Sequence, residues 1–241
     1  MIKTDKYELY KGDCLELMKD IPDKSVDLIV TSPPYNIGNM HSNHLKFGTY
    51  NGNNMKEEDY QKWQIEVLNE MCRILKDEGS IFYNHKVRIK NGKAIHPLEW
   101  IFKTNLILKQ EITWNQKKSA NCDKIRFFPF SERIYWLTKS SKVKIKNNLC
   151  LSDVWECVPT HKRKETGHIA VMPQQIVDNI LSSFENIEEK IVFDPFMGVG
   201  TTGVECVKKC NFIGVEIDDN YFNIAKDRIE NTYKKLNRNI S

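Results

Sequence analysis

No stretch of this 241-residue chain approaches the ~18 uninterrupted apolar residues of a membrane-spanning helix, so no membrane partner is expected. The opening MIKTDKYELYKGD alternates charge with apolarity and has no apolar core of the signal-peptide kind. The seven cysteines lack zinc-ligand spacing. Cys206 and Cys210 stand four apart on an expected helix, a geometry that usually reports packing. All seven read as reduced thiols of a cytoplasmic protein, and no metal is expected. Net charge is small: 36 Lys and Arg against 32 Asp and Glu leave +4, so bulk charge does not announce a polyanionic partner. No internal repeat is visible. With 40% hydrophobic and 28% charged residues the composition is that of an ordinary globular protein.

The charge that is present is unevenly placed. Lys86 to Lys164 holds 18 Lys and Arg but only 6 acids, and such a segment suits a phosphate backbone as well as it suits a solvated face. Along the chain, strand and helix patterns alternate, which predicts an α/β sheet. YELYKGD, VDLIV, SIFYNH, LILKQEITWNQ, ERIYWLTK, KIVFDPF and FIGVEI read as strands. CLELMKDI, DYQKWQIEVLNEMCRIL, HPLEWIFKTN, MPQQIVDNILSSF, TTGVECVKKC and YFNIAKDRIENTYKKL read as helices. Residues 37–58 form a long aperiodic loop rich in Asn, Gly and His, expected to be mobile or functional. KKSANCDKIRFFPFS is a second loop, with Phe127 and Phe128 adjacent. Between Ser140 and Gly167 periodicity fades and basic clusters appear.

Two stretches carry chemistry. Thr31-Ser32-Pro33-Pro34-Tyr35 follows the apolar run VDLIV directly. Proline ends a central strand, so a plain turn is one reading; a rigid pocket wall is the other. Asp194-Pro195-Phe196-Met197-Gly198-Val199-Gly200-Thr201-Thr202-Gly203 follows the strand IVF and opens a helix. Glycine permits close approach of backbone to a ligand, and ligands of open α/β sheets sit beyond the carboxyl ends of strands. The glycine spacing matches a dinucleotide fingerprint literally, but the preceding Asp-Pro-Phe is unusual for a nicotinamide site, and a hydride-transfer enzyme leaves TSPPY unexplained. Glu216 ends the next strand, where an acid can accept both hydroxyl hydrogens of a ribose.

These elements together resemble the S-adenosylmethionine-dependent DNA methyltransferases that act on exocyclic amino groups, in the permuted β arrangement with TSPPY first and the glycine element late. The resemblance covers nearly the whole chain. It implies a Rossmann-like methyltransferase fold: one domain spanning 1–241, a mostly parallel seven-stranded sheet with helices on both faces, and a small inserted recognition segment at 139–166. It implies Ser32, Pro33, Pro34 and Tyr35 as the catalytic wall. It implies S-adenosylmethionine as cofactor, held by Asp13, Thr31, Asp194, Pro195, Phe196, Gly198, Gly200, Thr201, Thr202 and Glu216. GHIAVMP resembles an element beside the cofactor and adds His168, although Ile169 stands where the family often has proline. Double-stranded DNA is the implied partner, and the basic clusters of the middle segment make Lys142, Lys144, Lys162, Arg163 and Lys164 its expected contacts. A second subunit and a companion restriction endonuclease are further implied partners.

An exocyclic amino group is a poor nucleophile because its lone pair is delocalised into the ring, and its base must leave the duplex to be reached. Ser32 Oγ and the Pro33 carbonyl are suitable acceptors for its hydrogens, the prolines hold that carbonyl at low entropic cost, and Tyr35 offers a face for stacking. Phe196 is a candidate for a sulfonium contact or for a core position. Serine at the head of the tetrapeptide goes mostly with cytosine N4 in the family, which leaves adenine N6 as the alternative. An RNA or glutamine-amide methyltransferase and a DNA-binding module without turnover share parts of this pattern.

Overall fold

A computed structural model describes residues 1–37, 55–117, 126–146, 150–158 and 171–238. Among them, nine strands form one sheet: β1 (Ile2–Lys3), β2 (Tyr7–Lys11), β3 (Val26–Thr31), β4 (Leu75–His85), β7 (Ile107–Asn115), β8 (Ser131–Thr138), β9 (Val154–Glu156), β10 (Ile191–Asp194) and β11 (Asn211–Glu216). Their spatial order is β1-β2-β11-β10-β3-β4-β8-β7-β9. β2, β11, β10, β3 and β4 run parallel, β8 is antiparallel to β4 and β7, and β1 is antiparallel to β2. The expected mostly parallel sheet is present, but it has nine strands rather than seven. The two additions are the short edges β1 and β9, whose two or three residues are too few to show a period.

Helices cover both faces. α1 (Cys14–Met18), α2 (Glu57–Ile74) and α3 (Leu98–Ile101) share one core with Ile29, Ile81, Tyr83, Tyr135 and Phe193. α4 (Gln174–Leu181), α5 (Thr201–Cys206) and α6 (Asp219–Arg238) share the other with Leu28, Val30, Phe82, Trp136 and Val192. Neighbours along each central strand therefore go to opposite cores, and both faces being covered is why VDLIV and IVF read as unbroken apolar runs. Glu57, Glu58 and Asp59 in the first turn of α2 complement the helix dipole, so the expected loop ends two residues earlier than its predicted boundary at 58. Asn36 (φ 53°) draws the start of that loop to its end: its side chain accepts from Met55 N (2.8 Å) and donates to the Met55 carbonyl (3.1 Å).

A separate hairpin, β5 (Arg88–Lys90) and β6 (Lys93–Ile95), turns through Asn91 (φ 51°) and Gly92 (φ 75°). The Asn-Gly dipeptide is the usual signature of a two-residue hairpin turn and was the available signal for it.

The topology places the site. From β3 the chain passes through α2 to β4 on one side. From β10 it passes through α5 to β11 on the other, and β3 and β10 lie side by side with Leu28 opposite Val192 and Ile29 opposite Phe193. That is a topological switch point, and the crevice beyond its carboxyl edge is where ligands of open α/β sheets bind.

Candidate active site

TSPPY leaves β3 and DPFMGVG leaves β10 at that crevice. Thr31 Oγ1 donates to Asp194 Oδ1 at 2.7 Å, across 163 residues of sequence, and both residues are buried. The same Asp194 oxygen accepts the Phe196 N–H at 3.1 Å, and the Thr202 hydroxyl also bonds this carboxylate. Burial raises the Asp194 carboxyl to about 6, although these donors pull it down. Asp194 thus fastens the two motif loops to each other and shapes the start of the glycine turn.

The turn itself is held by backbone bonds. Met197 N donates to the Val215 carbonyl (2.8 Å) and Gly200 N to the Met197 carbonyl (2.9 Å). Gly198 (φ 54°) and Gly200 (φ 79°) occupy the left-handed region that favours glycine. A Cβ on Gly200 would stand 2.9 Å from Ala225 Cβ, so its absence lets the turn rest on α6. A Cβ on Gly198 would meet only the Phe196 carbonyl oxygen, at 3.9 Å, so Gly198 faces open space.

Glu216 closes this half. Its Oε2 accepts Gly198 N (2.8 Å), its Oε1 accepts Asp218 N (2.8 Å), and its carbonyl accepts Gly12 N (3.0 Å). Burial raises its carboxyl to about 7. Asp13, next to Gly12, is exposed and caps α1, accepting Leu15 N at 2.8 Å. Thr201 Oγ1 is buried with no hydrogen-bond partner. Phe196 is buried with its ring edge-to-face on Trp63 (5.6 Å), which is the core position weighed for it.

The other half is a polar cluster that sequence reasoning only partly saw. Ser32 Oγ lies 2.9 Å from Tyr35 Oη, and Tyr35 Oη donates to Glu132 Oε2 at 3.0 Å. Asn84 Nδ2 reaches all three: Tyr35 Oη (2.6 Å), Glu132 Oε2 (3.1 Å) and Ser32 Oγ (3.3 Å). Asn84 and Glu132 are buried, on β4 and β8. A carboxylate only accepts, so Tyr35 must give its proton to Glu132, and Ser32 must give its own to Tyr35. Ser32 Oγ, which also accepts from Asn84 Nδ2, is thereby left with one lone pair for an incoming donor. Burial, then the Glu132 charge, raises the Tyr35 phenol well above its usual value.

Pro33 is buried, and Pro34 is held through its carbonyl, which accepts from Tyr60 Oη at 2.6 Å. Tyr60 Oη also lies 2.7 Å from His85 Nε2, and burial pushes that imidazole down to about 3. The Tyr35 ring packs against His85 at 4.6 Å, so one aromatic face is already taken. Neither Asn84 nor Glu132 stands in a recognisable motif. Each is a polar residue inside an apolar strand (SIFYNH, ERIYWLTK), and that was the only signal for them.

The DNA contacts expected from the sequence fare differently. Lys142 and Lys144 are exposed, but they follow Thr138, which pairs with Ser80 at the end of the sheet remote from Thr31. The structure does not bring them to the crevice, because β8 runs antiparallel to β4 and carries its following segment away. Within the described part of 139–166, Val143, Trp155 and Cys157 are buried and most of the other residues are exposed. His168, Lys162, Arg163 and Lys164 lie outside the described residues. The six described cysteines are free, and no group of three or more potential metal ligands occurs among the described residues. No described helix is long and apolar enough to cross a membrane.

A Rossmann-like sheet with a rigid acceptor wall and a glycine turn meeting at its switch point defines a group-transfer enzyme of the methyltransferase type. The profile of the N6/N4 DNA methylases matches residues 26–227, and the chain belongs to that family of S-adenosylmethionine-dependent DNA amino-methyltransferases. It is 29% identical to the type II methyltransferase M.BglII of Bacillus subtilis, over 90% of this chain and 67% of that protein. It is 28% identical to M.ScaI of Streptomyces caespitosus (95% and 83%), and 26% identical to the DNA adenine methyltransferase YhdJ of Escherichia coli strain K12 (91% and 81%). Among solved structures, the cytosine-N4-specific PvuII DNA methyltransferase superposes with a TM-score of 0.77 over 97% of this chain and 93% of that one, at 18% identity. The M1.HpyAVI–SAM complex gives 0.68 over 92% and 98%, at 23% identity. At these identities the two structures speak for the fold.

The residues fit the family's cofactor: the open space before Gly198, the unpartnered buried Thr201 hydroxyl and the Glu216 carboxylate offer shape, a polar contact and a diol acceptor.

Proposed function

We propose that this protein, read as one methyltransferase domain over 1–241, methylates the exocyclic amino nitrogen of a base extruded from double-stranded DNA, with cytosine N4 the favoured target. The observation that carries the reading is the Thr31–Asp194 bond, which fastens the TSPPY loop and the glycine turn together at one crevice. Ser32 supports cytosine over adenine, since a hydroxyl rather than a carboxylate or amide heads the tetrapeptide.

S-adenosylmethionine supplies an electrophilic methyl group when bound. Glu216 would accept the ribose hydroxyls and Thr201 a further polar contact. Ser32 Oγ and the Pro33 carbonyl would accept the amino hydrogens and localise the lone pair on nitrogen. The proton that nitrogen gives up passes to Ser32 as Ser32 gives its own to Tyr35 and Tyr35 gives its own to Glu132; every atom in that chain keeps its valence. Tyr35 remains a phenol throughout, in keeping with its raised pKa. The ring face turned away from His85 would stack on the base. The enzyme is read as acting in the cytoplasm, as the modifying member of a restriction–modification pair with a companion endonuclease, and as a homodimer.

The test is nucleoside mass spectrometry, with methylation-aware sequencing, of DNA from cells expressing the protein. N4-methylcytosine at one recurring sequence is expected. N6-methyladenine would overturn the base assignment alone, and the absence of both would overturn the function.

A pH dependence arises from Glu216. Its carboxyl titrates at about 7 in the free protein, and a ribose diol donates best to the ionised form. Binding therefore releases a proton, and cofactor affinity is expected to rise about tenfold between pH 6 and 8 and then level off. Isothermal titration across that range checks it, and Glu216→Gln should flatten the slope.

A further inference from the structure

Phe127, Phe128 and Phe130 have no part in the chemistry above, yet Phe127 is 100% exposed and the other two are exposed as well. Isolated surface apolars need no explanation, but three phenylalanines within four positions do. Their place in the fold is specific. They immediately precede β8, and Glu132, whose carboxylate holds Tyr35, is the second residue of that strand. β8 pairs His85 with Arg133, so its start lies at the same carboxyl edge of the sheet as TSPPY. The stem is firm: Gln116 N donates to the Phe130 carbonyl at 2.7 Å, and Asn115 pairs with Ser131. The β5–β6 hairpin, which follows β4 at this edge, carries exposed Lys90 and Lys93. Exposed apolar rings beside a rigid stem, at the sheet edge that also carries Lys93 and the Glu57-paired Lys90, match a polyanion that has an apolar interior.

We propose that Phe127 and Phe128 enter the DNA base stack beside the target and occupy the space the extruded base vacates. This rests on the DNA-methylating function proposed above. Extrusion costs the stacking and pairing of one base, and apolar side chains inserted at a base step offset that cost while separating the neighbours. An aromatic ring stacks on any base, so the wedge works without reading sequence.

The test uses the full-length protein and a duplex bearing the sequence it methylates in cells. A fluorescent analogue replaces the target base, 2-aminopurine for adenine or pyrrolocytosine for cytosine. With the wild type, emission should rise severalfold on binding. With the Phe127→Ala/Phe128→Ala double variant, that rise should fall below a third, and turnover on ordinary duplex should drop at least tenfold. Thermal midpoint and cofactor affinity, read on the same sample, should not move. Placing an abasic site opposite the target removes its pairing and should bring the variant back to within about threefold of the wild type. Wild-type emission and turnover in the variant would overturn the wedge, as would an undiminished deficit on the abasic duplex. A change in sedimentation alone would reassign the patch to a second copy of this chain. Failure of the function itself would show separately, as a wild type that methylates no DNA.

Discussion

Replacing Glu132 with Gln is expected to lower methyl-transfer turnover by about two to three orders of magnitude, the range that positioned proton transfer contributes. The substitution is nearly isosteric, and the Glu132 carboxylate bonds Tyr35 and Asn84, both in the acceptor half of the crevice. Its effect is on direction. In the native cluster the carboxylate can only accept, so the protons of Tyr35 and Ser32 both point inward and Ser32 Oγ faces the substrate as an acceptor. A glutamine amide can donate to Tyr35 instead. The chain then reverses, Ser32 turns its hydrogen outward, and a donor meets the amino group, also a donor. Single-turnover kinetics should show the loss in the chemical step, with cofactor Kd unchanged and the thermal midpoint within a few degrees of native. Glu132→Asp, which keeps an acceptor on a shorter stem, should recover part of the rate. A glutamine variant that turns over normally, or one that loses cofactor binding by the same factor, would remove Glu132 from the mechanism.

Asp194→Ala is expected to weaken cofactor binding at least thirtyfold and to destabilise the protein. The carboxylate holds the Thr31 hydroxyl and the Phe196 N–H, and each buried donor left unpaired costs about 1–3 kcal/mol. With neither bond, the glycine turn loses its side-chain anchor on Thr31, although β3 and β10 stay paired through their backbones.

The same substitution carries a pH signature. The folded carboxyl, at about 6, lies above its ordinary value of 3.8, so the native state binds a proton more tightly than the unfolded chain. Its contribution to stability is present in full below the unfolded value and is lost as pH rises through about 6. The alanine variant lacks that titration. Its stability deficit should therefore be larger at pH 5 than at pH 7.5, by about 1 kcal/mol. Urea unfolding at the two values, with cofactor titration at the higher one, reads both effects. A deficit that stays constant with pH would show that Asp194 is not the titrating group, and an unchanged cofactor Kd would detach it from the turn.

Much of this site could be read from the chain before any fold was known. TSPPY after an apolar run, DPFMGVG after another and an acid at the end of the next strand are local patterns, each set within a few residues of a strand's end. Chain order alone predicted that the wall would precede the cofactor turn. The missed elements are of two kinds. β1 and β9 are too short to show a period. The β5–β6 hairpin had its Asn91-Gly92 signal but is flanked by too few alternating residues to draw the eye. Lys142 and Lys144 looked suited to DNA because basic residues cluster there, and composition does not say at which end of a sheet a segment emerges.

By itself, the sequence determined the α/β class, the permuted order, the two motif loops and the likeness to amino-methyltransferases. All of these rest on hydrophobic period, proline and glycine placement, and short spacing, properties that a stretch of chain carries wherever it sits. Only the tertiary structure decided that Thr31 meets Asp194, that Asn84 and Glu132 orient Ser32 and Tyr35, and that the phenylalanines before β8 stand at the carboxyl edge of the sheet while the lysines after β8 do not. Those contacts join segments about 50 to 160 residues apart through strand order and direction. Alternation along a strand tells which face a residue takes, but the partner it finds there is chosen by the neighbouring strand.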